Sequence, residues 1–421
     1  MGRITPRSRS VLVIGAVAVA AVVVAEGAAL ALRPRGEAIE PAAVAASDYF
    51  DATQIERAEH YRDGQRLLGL GSLALSGGVL IVLALGRPRA ARRLLERLGR
   101  RPVLGAAAAG AGLTLAIAVV GLPFGAVAHE RAVDYGLSTQ GFASWLGDEG
   151  KAAAITAVLT AAGAAILLGL IRRFPRAWWA LTAGGVAAYA IASQALAPVL
   201  LAPLFNDFER LPEGAARSEV LELAESAGVD VGEVYEVDAS RRSTALNAYV
   251  SGLGPTKRVV VYDNLLAGVD RPALRSVLAH ELAHARNDDI WRGIAFVAIA
   301  APLGMLLVML GGGALARRGG AEPGTPASLP AYGLAIGVAS LLIGVAGAQL
   351  SRAVEAEADA FALRITDDPA ALIDLQRRLA ETNLADPEPP GWSQFLFGTH
   401  PTTLERIGAA RAYEATSPRS P

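Results

Sequence analysis

Residues 271–316 read RPALRSVLAHELAHARNDDIWRGIAFVAIAAPLGMLLVMLGGGALA. The part up to Arg286 is a mixed-polarity helix former with histidines at 280 and 284. From residue 291 the run turns apolar and is long enough for a bilayer crossing, which takes about 20 residues. A polar helix carrying two imidazoles therefore passes, through a short acidic joint, into a membrane span. Any fold for this chain must keep that helix at the bilayer surface.

Working outward, seven stretches can span a bilayer, near 11–32, 67–86, 103–127, 152–171, 177–203, 291–316 and 331–350. The first has Arg3, Arg7 and Arg9 ahead of it and Glu26 within it, so its front half also fits a signal-peptide core. No small-residue cleavage site follows the apolar run, and we read it as a retained helix. Composition agrees with a membrane protein: 52% of the residues are hydrophobic and only 19% charged, against about 25% charged in soluble domains. A net charge of −1 gives no reason to expect a nucleic-acid partner. Cysteine is absent, which removes disulfides, thiol nucleophiles and cysteine metal sites together. Any metal must be held by His, Asp or Glu, and the histidines are His60, His129, His280, His284 and His400.

The loops alternate in charge. Arginines number three before the first span, seven in 87–101 and three in 172–176, with Arg317 and Arg318 between the last two spans. Loop 33–66 carries seven acidic residues, Glu37 among them, against five arginines, and 128–151 has only Arg131 and Lys151 as positive charges. Positive residues collect on the cytoplasmic side. The pattern places the N-terminus inside and both non-membrane segments, 204–290 and 351–421, outside the cell membrane.

Within 204–290 the sequence predicts a helix over about 213–228 and strands near 233–238, 246–251 and 257–262. Gly252-Leu-Gly-Pro255 punctuates the last two as a hairpin. A further helix starts after Asp270, an N-cap, with Pro272 tolerated in its first turn. Residues 351–421 read as two helices, a Pro/Gly break at Pro387–Gly391 and a polar tail. The expected architecture is mainly α and multi-pass. It comprises a five-helix membrane region (1–203), the first part of a small α/β unit (204–290), two membrane helices (291–350) and the second part of that unit (351–421).

His280-Glu-Leu-Ala-His284 is H-E-x-x-H. Histidines four apart share a helix face and can reach one ion, while Glu281 is offset to take a proton from a water bound there. Zinc hydrolases need a third protein ligand and an open fourth position. Glu355 and Asp359, four apart after the last apolar run, supply a candidate ligand and a carboxylate for the free ring N–H of a ligating histidine. Glu357 is the rival ligand. An acidic helix face is ordinarily only solvated; beside H-E-x-x-H it reads as part of a metal site.

With these residues in hand, the chain resembles the type I CAAX prenyl endopeptidases and their bacterial relatives, the membrane zinc peptidases of metallopeptidase family forty-eight. The matching stretches are Ala202-Pro-Leu-Phe-Asn-Asp-Phe208, Leu211-Pro-Glu-Gly214, Asn247-Ala-Tyr249, Asp263-Asn-Leu-Leu266, the H-E-L-A-H run, Ser351-Arg352 through Asp359, and Thr399-His-Pro401. The resemblance implies a gluzincin-like unit split by the last two membrane helices, one zinc ion per chain, and Glu355 as third ligand. It also implies that the strand with Asn247 and Tyr249 lines the substrate cleft, and that His400 and Arg406 stabilise the reacting carbonyl. Elementary chemistry fits these roles. An extended peptide can add to a sheet edge through main-chain bonds, and a cation or imidazole beside the metal stabilises an oxyanion.

The expected activity is a zinc-dependent endopeptidase in the lipid bilayer, cutting peptide or membrane-protein substrates as a monomer. Eukaryotic members of the family process CAAX tails and face the cytosol, whereas the loop charges here face the site outward. Ala-, Arg- and Gly-rich composition suits a GC-rich bacterium, so the prenylated substrate is not carried over, and quality control of misfolded membrane proteins is the alternative. A transporter would call for ionisable residues at mid-span, where Glu26 is the one clear case. A non-catalytic scaffold is opposed by a complete ligand set with its base. His60 and His129 read as solvated or structural; Asp288 and Asp289 could orient local groups, but a solvated helix end is the favoured reading.

Overall fold

The computed structural model describes residues 6–36, 38–86 and 88–416. Arg3, Glu37 and Arg87 of the charge pattern, and the polar tail from 417, lie outside these described residues.

Among the described residues, seven helices are long and apolar enough to cross a membrane. They are α1 (Pro6–Leu32), α2 (Ala52–Ile81, prolonged by a π-helical turn to Gly86), α4 (Pro102–Asp134), α5 (Phe142–Arg173), α6 (Trp178–Leu200), α10 (Asp289–Arg318) and α11 (Leu329–Thr366). A short α3 (Arg89–Leu98) carries four of the arginines between α2 and α4. Large apolar side chains on these helices face outward, with Leu67 71% and Val119 69% exposed, as contact with lipid tails requires. α1 packs along α10 and α11 through Ala25, Ala28 and Ala29, whose small side chains let the helices approach closely.

The loops gather at two ends in the sets that their charge gives. At one end Arg172 reaches the Gly324 carbonyl, joining the α5–α6 and α10–α11 connections. At the other, Arg57 donates to the Tyr135 carbonyl at 2.7 Å, Thr139 N–H donates to the Arg242 carbonyl, and Ala42 N–H to that of Gly408. Residues 38–51, 135–141, 204–290 and 351–416 thus form one assembly.

That assembly contains a four-stranded sheet of β1 (Phe208–Arg210), β2 (Glu233–Val237), β3 (Ala248–Ser251) and β4 (Arg258–Tyr262), in the order β1-β2-β4-β3. β2 and β4 are parallel and the other pairs antiparallel, which leaves β3 on the edge. Helix α7 (Ala215–Ala227) lies between β1 and β2, α8 (Asp263–Gly268) and α9 (Arg271–Arg286) follow β4, and α12 (Pro369–Asn383), α13 (Gly391–Phe397) and α14 (Thr403–Thr416) follow α11. Val234, Val259 and Val261 pack on Leu278 and Leu282 of α9, with Leu372 of α12 and Ile407 of α14 closing the core. Glu219, buried on α7, is paired by Arg271 and Arg275 of α9, which fixes the two helices in register.

Two features differ from the sequence expectation. β1 is an additional strand, three residues long. The segment with Glu355 is no separate helix: α11 runs unbroken for 38 residues out of the membrane span, and three helices rather than one complete the chain after it.

Candidate active site

α9 begins where expected, with the Asp270 carboxylate accepting from Ala273 N–H and Pro272 in the first turn. Its last two turns bring His280 and His284 one above the other, and the outer end of α11 lies across them. His280 Nε2 is 3.1 Å from Glu355 Oε2, His284 Nε2 is 3.7 Å from Glu355 Oε1, and the two Nε2 atoms are 3.3 Å apart. These three residues form a group that could hold one metal ion.

The geometry tests that reading. Bonds of 2.0–2.1 Å in a tetrahedron put neighbouring ligand atoms about 3.3 Å apart, and the separations of 3.1, 3.3 and 3.7 Å bracket that value. The other ring nitrogens are committed. His280 Nδ1 lies 2.9 Å from Asp359 Oδ1, and His284 Nδ1 lies 3.0 Å from Asp289 Oδ2. A carboxylate only accepts, so each Nδ1 carries a proton, and each Nε2 presents its lone pair once a cation takes the place of the proton there. Two lone pairs and a carboxylate converging on one point repel one another unless a cation sits between them. The same demand acts on His280: burial lowers its pKa, but the bonds and charges of Asp359 and Glu355 outweigh burial and push it up to about 10.

Glu281 sits next to both imidazoles and to Glu355. Burial pushes its carboxyl above the usual range, the neighbouring imidazoles oppose the shift, and the Val250 N–H of β3 donates to it. Glu281 is thereby tied to the edge strand. On β3, Tyr262 N–H donates to the Asn247 carbonyl, so pairing alternates and Ala248 and Val250 turn their main-chain groups away from β4. Asn247 is exposed. The Tyr249 ring lies edge-on to Tyr262 and packs with Val260, in a cluster separate from the one α9 joins.

His400 stands over the group, half-exposed, with Nε2 3.4 Å from Glu355 Oε1. Arg406 is set differently from the expectation that it faces the carbonyl. Both arms of its guanidinium bond Asp359, at 2.6 and 2.7 Å, and Asp359 is 2% exposed. A buried carboxylate needs a paired cation, and Arg406 meets that need from behind His280. Glu357 is turned away to Asn287 and stands apart from the metal-holding group.

Two residues were missed in the sequence. Asp289, read as a solvated helix end, is 9% exposed and engages His284 and Arg292. Asp288 adopts left-handed backbone (φ +53) between α9 and α10, and that turn folds Asp289 back onto the site. Arg352 donates to the carbonyls of Gln394 and Gly398, pinning the loop that carries His400 to α11. Adjacent turn-forming Asn287 and Asp288 were the available signal for the first; nothing local marks the second.

Comparison with known proteins agrees. Residues 210–414 match the model of peptidase family M48, and residues 38–207 that of the CAAX prenyl protease N-terminal region with five membrane helices. The uncharacterized metalloprotease YhfN of Bacillus subtilis is 30% identical over 315 residues, 72% of each chain. A CAAX prenyl protease 1 homolog of Oryza sativa is 31% identical over 54% of each chain. A protease HtpX homolog of Burkholderia thailandensis is 32% identical over 45% of this chain and 70% of its own. The crystal structure of S. mikatae Ste24p superposes with a TM-score of 0.75 over 95% of this chain and 98% of that one, at 18% identity, which establishes a shared fold. The chain belongs to peptidase family M48 and is a multi-pass membrane metalloprotease.

Proposed function

We propose that the protein is a zinc endopeptidase whose peptide substrate binds in extended form along β3. The observation that carries this reading is the convergence of His280, His284 and Glu355 with Glu281 beside them, on a helix that abuts a free sheet edge. A zinc ion held by the three ligands would lower the pKa of water towards about 7 and polarise the substrate carbonyl. Glu281 takes the proton from the attacking water and passes it to the leaving amine. The outward main-chain groups of Ala248 and the carbonyl of Val250 align the peptide with little demand on its side chains. His400 stands where negative charge develops on the carbonyl oxygen and can stabilise it. Asp359 and Arg406 hold His280 in its ligating tautomer. Asn247 and Tyr249 flank the edge as substrate contacts.

Loop charge supports an extracytoplasmic site in the cell membrane, where misfolded membrane proteins are the substrate class that a sequence-tolerant main-chain binder suits. Glu281→Gln is the decisive variant: it should keep one equivalent of zinc and lose cleavage, whereas Glu355→Ala should lose both. A Glu281→Gln protein that still cut peptide bonds would remove Glu281 from the mechanism.

A further inference from the structure

Along β3 the main-chain groups face β4 and the free edge in turn. Tyr262 N–H donates to the Asn247 carbonyl, so Asn247 and Tyr249 face β4 while Leu246, Ala248 and Val250 face outward. Part of that outward row is already taken. The Val250 N–H donates to Glu281. At the other end, one side chain takes both groups of Leu246: Asn383 Oδ1 accepts from the Leu246 N–H at 3.0 Å, and Asn383 Nδ2 donates to the Leu246 carbonyl at 3.2 Å. A carboxamide presents an acceptor and a donor side by side, as a peptide unit does. Asn383 therefore pairs with Leu246 as a residue of a neighbouring strand would. Of the outward groups of these three residues, both of Ala248 and the Val250 carbonyl are left for a peptide.

Asn383 is itself fixed from the membrane side. It is the last residue of α12, and Leu384 after it has φ of +46°, a left-handed backbone that a branched side chain adopts only where its surroundings hold it. Arg62 of α2 supplies that hold, donating to the Leu384 carbonyl at 2.6 Å and to the Asn383 carbonyl at 2.7 Å. Arg66, one turn on, pairs with Asp386. A line of bonds thus runs from a membrane helix through the turn after α12 to the start of the edge strand. Leu246 itself is 7% exposed, its side chain in the core.

We propose that Asn383 is a positioning residue for the substrate strand: its side-chain amide fixes the start of β3 at Leu246 and ends there the ladder that a peptide can join. The proposal rests on the peptidase reading above, in which the peptide lies along β3.

The test uses the full-length zinc-loaded protein in detergent. Asn383→Leu keeps the side-chain volume and removes both bonds. Hydrogen exchange followed by mass spectrometry should show the 246–250 segment exchanging faster by about 10-fold or more. On a quenched fluorescent peptide, KM should rise by about 10-fold, the order that two lost hydrogen bonds carry. The metal-holding group and Glu281 stand on α9 and α11, so zinc content should be unchanged and kcat should stay within about 2-fold. Asn383→Asp keeps the acceptor for the Leu246 N–H and loses the donor, and its KM should lie between those of the wild type and Asn383→Leu. If Asn383→Leu fails to retain zinc, Asn383→Ala carries the same measurements. Unchanged exchange at 246–250, or a fall in kcat with KM unmoved, would overturn the positioning role. Absence of any cleavage by the zinc-loaded wild type would instead defeat the peptidase reading, and the proposal with it, whatever the exchange shows.

Discussion

Asp289 stands to His284 as Asp359 stands to His280: a carboxylate 3.0 Å from one Nδ1 answers a carboxylate 2.9 Å from the other. The two supports are built differently. Asp359 comes from α11 and is clamped by Arg406, whereas Asp289 opens α10 and is clamped by Arg292, which also donates to the Leu32 carbonyl at the end of α1. Each imidazole is thus oriented by its own ion pair, and the second pair ties the site to the first membrane helix.

Removing the second support should therefore cost metal. Asp289→Ala is expected to weaken zinc binding by about 10- to 100-fold while the helices stay folded. Titration of the purified protein against a chromophoric chelator measures it. An unchanged affinity would mean that the Asp289 bond does not orient the ligand.

Arg406 bears on stability. Its side chain is 14% exposed, and its loss leaves the Asp359 carboxylate buried with His280 alone. Breaking a buried pair from one side costs about 3–5 kcal/mol, so Arg406→Ala should unfold the catalytic unit at markedly lower temperature. Arg406→Lys keeps the charge without the two-armed grip and should lie between. Thermal unfolding followed by tryptophan fluorescence orders the three proteins.

Chelation should stop cleavage, and stoichiometric zinc should restore it. Since the ion binds the folded ligand set and not the unfolded chain, saturation at 100 times Kd adds about 3 kcal/mol of stability. The melting temperature of the chelated protein should rise as zinc is returned. Restored activity without a rise would separate the ion from the residues assigned to it.

The loop charges predict a topology that can be tested. A reporter fused after Pro421 should be active as a periplasmic phosphatase and dark as a cytoplasmic fluorescent protein. The opposite result would place the catalytic unit in the cytosol and remove the extracytoplasmic proposal.

Much of this was legible in the chain because the informative signals are periodic. Apolar runs of membrane length mark the spans, and two i,i+4 pairs, His280 with His284 and Glu355 with Asp359, mark the sides of the site. What escaped depends on partners far away in sequence or on a single backbone dihedral. Arg406 meets Asp359 across 47 positions, and no local pattern distinguishes that pairing from a role at the carbonyl. Asp289 needs the φ of +53° at Asp288 to face His284. β1 is too short for alternation to register. The polar step at Gln349–Ser351 reads as a helix end, yet a helix satisfies its own main-chain bonds in lipid and in water alike, so α11 has no reason to stop there.

The uninterrupted α11 leaves the enzyme no clean place to be divided. One rigid rod fixes the depth of the third ligand relative to the bilayer, at about 1.5 Å per residue. Inserting or deleting a residue anywhere between the lipid boundary and Glu355 would lift or drop the carboxylate by that amount and swing it by about 100° around the axis. A water-soluble fragment stitched from 204–290 and 351–421 would lose this gauge, and should be recovered as a folded shell without its ion.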